Sequence, residues 1–165
     1  MLEELKNLLA LPELEHLQNI HPLVVHFPVA MLPGAALLYY SASLSRRESI
    51  AWAAMWMLVL GVLGAVVAVA TGLYAAPGVM LAPSVKNALL ERHKWVMVGA
   101  LVFSAGLMLW VALAPPMPSR GRGVFLLLLA ALTGLLVTGA DYGGRMVFDY
   151  NAGGYACGQP IEFTR

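Results

Sequence analysis

Charge is what this chain has least of. Only 12% of its 165 residues are Asp, Glu, Lys or Arg, against 60% hydrophobic, and the mean hydropathy of +0.76 is far above that of an ordinary soluble domain. Inside its long apolar runs there is no ionisable carboxylate, Lys or Arg, only scattered hydroxyls such as Thr71, Ser104 and Thr138. Transporters and proton pumps need such groups, or broken helices, near the membrane midplane, so that class is disfavoured. Cysteine is nearly absent as well. Cys157 stands alone, which excludes an internal disulfide and leaves a free thiol, a link to another chain or a lipid site. No Cys-x-x-Cys-His occurs, so no covalently attached c-type haem is expected. No Ser-His-Asp set, usable carboxylate pair, phosphate loop or HExxH occurs either, which leaves little for hydrolysis. Residues 1–20 hold four acids and Pro12 where a signal peptide needs a basic start and an apolar stretch, so a cleaved signal is not expected. A net charge of +1 gives no reason to expect nucleic acid.

What is present is hydrocarbon in span-sized blocks. Four runs, at about 22–44, 50–75, 95–114 and 123–140, each approach the roughly 20 residues that a bilayer core requires. The expected fold is an all-α membrane protein, a four-transmembrane-helix bundle over residues 21–141. Before it, residues 1–20 read as an interfacial amphipathic helix with Leu2, Leu5, Leu8, Leu9 and Leu11 to one side. After it, residues 142–165 read as a short irregular tail in which Arg145 to Tyr150 has strand character.

Two short connections, around Arg46-Arg47 and Arg120 to Arg122, carry four arginines against Glu48, whereas the opposite side carries the other eight acids against six Lys or Arg. By the positive-inside rule the arginine connections are cytoplasmic. In a bacterial inner membrane both termini and every histidine then face the periplasm.

The most distinctive stretch is His21-Pro22-Leu23-Val24-Val25-His26-Phe27-Pro28, two histidines and two prolines at the mouth of the first span. Histidine beside hydrocarbon is uncommon unless something uses it. Pro28 frees the carbonyl near Val24 and bends the chain beside His26, whose wheel face continues through the small or flat Ala30, Pro33 and Gly34. Gly61, Gly64, Ala65, Ala68 and Gly72 form a comparable groove on the second span, open to a neighbouring backbone or a planar ring. At the mouth of the third span, Glu91-Arg92-His93-Lys94-Trp95 makes a charged, aromatic collar, and Met97, Ala100 and Ser104 lie beneath His93 on one face. Two imidazoles from different helices at matched depth, with small residues around them, are what a bis-histidine haem b needs inside a bundle.

The opening His-Pro-Leu-Val-Val-His-Phe-Pro, the Gly72-Leu73 to Pro77 break, His93 and the closing Tyr142-Gly143-Gly144-Arg145-Met146-Val147-Phe148 resemble a bacterial four-helix membrane family known as a domain of unknown function. Its members open with an HPxxVHFP-like motif and close with a YGGxLVY-like one. The resemblance covers roughly residues 20–155, implies a four-span bundle, and makes His21, His26 and His93 the matching positions. It also implies an association with respiratory or redox gene products. The chain departs from the family at Asn151-Ala152-Gly153, where a His-Gly-x-Gly-like end is usual, so a ligand at that place is missing.

Three readings follow. In the first, the chain is an electron-transfer subunit rather than a stand-alone enzyme. His26 and His93 ligate haem b, His21 serves as an alternative ligand, Arg92, Lys94 or Arg145 meet the propionates, and Met97 or Met31 can replace an imidazole. Its partners are membrane lipid, the quinone pool or a partner redox subunit, and a periplasmic c-type cytochrome, with a homo-oligomer allowed. The second is a copper or zinc site of His21, His26, His93 and His16. The third is a cofactor-free anchor or assembly subunit of a respiratory complex.

Overall fold

A computed structural model describes residues 20–152. The expected interfacial helix, His16 and Cys157 lie outside the described residues. Four helices long and apolar enough to cross a membrane run α1 (His21–Ser45), α2 (Glu48–Ala75), α3 (Pro83–Leu113) and α4 (Arg122–Phe148). No strand occurs among the described residues, and the four-span bundle expected from the apolar runs is the fold. The chain runs up and down, so the start of α1, the end of α2, the start of α3 and the end of α4 share one end of the bundle.

Two boundaries differ from the sequence expectation, for identifiable reasons. Pro83 suits the first helical turn, where its missing N–H costs nothing, so α3 begins well before the apolar run does. At Lys86–Leu90 the helix makes a π turn, closed by the Glu91 N–H on the Lys86 carbonyl. The residue inserted there rotates everything after it by about 100°. The second difference is at the end of α4, which continues through the Gly143-Gly144 pair to Phe148, so the strand expected over Arg145 to Tyr150 is largely helix. Met146 explains the extension. It is buried against Leu81, Ala82, Val85 and Leu89 of the segment entering α3, and helical phase is what keeps it there.

The core is formed by α1, α2, α3 and α4 together. Leu32, Ala35 and Tyr39 of α1 meet Ala54, Leu58 and Val62 of α2, Leu107 and Val111 of α3, and Phe125, Leu129 and Leu132 of α4. Tyr39 stands edge-on to Phe125 at 5.0 Å between ring centres, and Trp110 approaches the same ring at 5.8 Å. A tyrosine hydroxyl inside a bundle needs a partner. Tyr39 donates to the Pro116 carbonyl at 3.2 Å and Tyr40 to the Leu126 carbonyl at 2.8 Å, tying α1 to the α3–α4 connection and to α4.

Lipid removes the hydrophobic drive for one helix to seek another, so van der Waals fit must hold the bundle closed. α1 and α2 form the most extensive pair, and their contact depends on glycine. A Cβ on Gly61 would stand 2.7 Å from Leu32 Cδ2 and 3.2 Å from Met31 Cβ. Gly106, by contrast, has nothing within 4 Å of that position. Replacing Gly61 with Val should cost about 1–3 kcal/mol through overpacking, whereas Gly106→Ala should stay within about 0.5 kcal/mol of the parent. Thermal unfolding in detergent, followed by helical circular dichroism, checks both.

Candidate functional site

The shared end gathers Gly72, Gly139, Gly143 and Gly144 with three histidines, of which His21 and His93 lie against neighbouring helices. His21 opens α1 and its ring lies on α2, where a Cβ on Gly72 would come within 2.7 Å of Cε1 and 3.2 Å of Nε2. His93 lies the same way on α4. A Cβ on Gly143 would stand 3.2 Å from its Cε1, and one turn earlier Gly139 is covered by Met97, the residue one turn below His93. Each imidazole therefore rests on bare backbone of a neighbouring helix.

Hydrogen bonds set which ring nitrogen carries the proton. His93 Nδ1 is 2.8 Å from the Gly139 carbonyl, and a carbonyl can only accept, so Nδ1–H is the donor. His21 Nδ1 is 3.3 Å from Thr71 Oγ1. The Thr71 hydroxyl also lies 2.9 Å from Val67 O and 3.0 Å from Ala68 O of its own helix. The neutral His93 imidazole consequently holds its proton on Nδ1 and presents the Nε2 lone pair, while the His21 ring is held between Thr71 and the Ala68 backbone. An Nδ1–H fixed to the protein with Nε2 left as donor atom is how a metal-ligating histidine is usually held.

The remaining expected residues are arranged differently. His26 lies five positions beyond His21, about 140° round the helix and about 7.5 Å deeper, and it is exposed. It is thus His21, not His26, that lies against a neighbouring helix as His93 does, whereas the sequence reading had given His21 the secondary place. The trough beneath His26 is taken up where Gly34 meets the end of Met57. Met31 faces Gly61 of α2, and Ala100 and Ser104 beneath His93 are ordinary core, with the Ser104 hydroxyl on the Leu101 carbonyl at 3.0 Å. Among the described residues no three His, Cys, Asp or Glu side chains converge on a possible metal position. Of the copper or zinc site expected from His21, His26, His93 and His16, His16 lies outside the described residues and His26 is turned away from the other two.

On the rim, Lys94 pairs with Glu91 at 2.6 Å and lies over Trp95, and Arg145 is 3.6 Å from Asp149. Arg92 is exposed. Exposed pairs of this kind exchange partners at little cost.

The family model for predicted membrane proteins designated DUF2231 matches residues 17–155. The chain belongs to that family. No curated protein and no solved structure gives a match. In this DUF2231 member the opening motif lies on α1 and the closing Tyr142-Gly143-Gly144 on α4, and the fold brings both to the end that also holds His93.

Sequence reasoning passed over Thr71 and Gly143 as partners of the two rings. The one available signal was Gly72 beside Thr71 at the end of α2, facing the helix mouth where His21 begins. Gly72→Ala and Gly143→Ala should each move the imidazole nitrogen resonance of the histidine they support, while Gly144→Ala, whose Cβ would meet nothing nearer than 3.9 Å, should move neither. Nitrogen-15 NMR of histidine-labelled protein makes the measurement, and it should show the Nδ1–H tautomer for His93.

Proposed function

We propose that this chain is a membrane-embedded b-type cytochrome subunit in which His21 and His93 hold one haem at the histidine end of the bundle. The observation that carries this reading is the placement of two imidazoles from different helices at one end of the bundle, each lying on glycine backbone of a neighbouring helix. Two imidazoles from separate helices are a donor set that would suit haem iron, with His21 and His93 as the residues that would hold it. Copper and zinc sites draw three or four protein ligands, which this end lacks among its described residues. A bound haem would supply one-electron transfer. The chain's own groups have other tasks. Thr71 and the Gly139 carbonyl orient the rings and raise their basicity, Gly72 and Gly143 keep backbone clear of them, and Arg92, Lys94 and Arg145 stand on the rim as cations for carboxylate groups.

The arginine asymmetry supports a periplasmic histidine end in a bacterial inner membrane. Electrons would then pass between the quinone pool or a partner redox subunit and a periplasmic carrier such as a c-type cytochrome. Protein purified from haem-replete cells should show a Soret band that shifts on dithionite reduction. His21→Ala or His93→Ala should abolish it, and His26→Ala should retain it. Colourless protein would overturn the reading; colourless protein that co-purifies with a redox partner would return the chain to the class of cofactor-free anchors.

A further inference from the structure

The opposite end of the bundle carries a second feature, independent of the histidines. Between α2 and α3 an open apolar groove of about 290 Å³ is lined by Trp52, Met55, Trp56, Met108, Ala112 and Pro115, among others. Trp52 and Trp56 remain 40% and 59% exposed there, so the groove opens outward. At the same end of the bundle lie Arg46, Arg47, Arg120 and Arg122. All four are exposed, and among the described residues none has an ion-pair partner. Glu48, the nearby acid, accepts from Trp52 Nε1 at 3.2 Å, which keeps that indole at the groove mouth.

We propose that this end is a binding site for an anionic glycerophospholipid, one acyl chain lying in the Trp52–Trp56 groove and the phosphate meeting the arginines. Charge complementarity selects the occupant. Guanidinium groups bind phosphate in a bidentate fork, and basic clusters beside transmembrane helices favour acidic headgroups. The groove lining is almost wholly apolar and the Trp52 N–H is already given to Glu48, so the groove suits a hydrocarbon chain better than a polar ring. Tryptophan at the headgroup level with its ring against acyl chain suits the same occupant.

The test uses the fluorescence of the native chain in vesicles. Phosphatidylglycerol with brominated acyl chains, diluted into phosphatidylcholine, should quench at a mole fraction several-fold lower than brominated phosphatidylcholine does. The difference should vanish in Trp52→Phe/Trp56→Phe protein, which assigns the signal to the groove. Replacing all four arginines with Gln should erase the selectivity while leaving quenching by both lipids, and Ala112→Phe should weaken quenching by filling the groove. Should a variant fail to insert, unbrominated phosphatidylglycerol displacing the quencher from native protein, with phosphatidylcholine unable to do so, answers the same question. Equal quenching by the two lipids, or selectivity that survives loss of the arginines, overturns the proposal.

Discussion

Everything at the histidine end depends on backbone without a Cβ. A ring can lie on a helix only where the side chain that would hold it away is missing, and α2 and α4 supply that at Gly72 and Gly143. Van der Waals attraction falls steeply with separation, so within lipid a gap of half an ångström already forfeits much of the contact. Glycine thus does two jobs here. It lets α1 close on α2 along Gly61 and Gly64, and it places each imidazole where a backbone carbonyl or a backbone-anchored hydroxyl can partner its Nδ1. The packing and the ring chemistry are consequences of one steric fact.

The polar inventory follows from the same economy. Inside hydrocarbon an unpaired polar group is expensive, and among the described residues no buried side-chain nitrogen or oxygen lacks a partner. Most of these partners are backbone carbonyls. Thr71, Ser104, Thr133 and Thr138 all return their protons to their own helices, so they cost no interhelical geometry. The histidines differ, because His21 and His93 reach partners on a different helix, Thr71 of α2 and the Gly139 carbonyl of α4.

The two ends of the molecule are chemically unlike. At about 1.5 Å per residue the 28 residues of α2 span about 40 Å, with imidazoles at one end and exposed arginines at the other. A single redox centre held at the histidine end would therefore serve one face of the membrane and would need its partner at the same leaflet. The arginine end holds no comparable ring chemistry. Its features are those of a headgroup contact, and the two ends can be tested separately.

The span count, the up-and-down order and the gathering of His21, His26 and His93 at one end were legible in the chain, because twenty apolar residues must cross a bilayer and each crossing reverses direction. Which histidine of α1 lies against a neighbouring helix was not. His21 and His26 share a helix, and choosing between them requires knowing where α2 lies, since Thr71 and Gly72 are what draw in His21. The end of α4 was misread for a related reason. Gly143-Gly144 marks a break in isolation, but Met146 buried under Leu81 and Leu89 keeps the helix going. The π turn before His93 likewise re-aims that ring in a way no wheel of uniform pitch reproduces. Sequence alone determined the solvent, the number of crossings and the side on which each polar group emerges, all of which follow from hydropathy and length. The tertiary structure decided which rings meet which glycines, because contact between helices depends on their mutual rotation, and rotation is a property of the packed bundle.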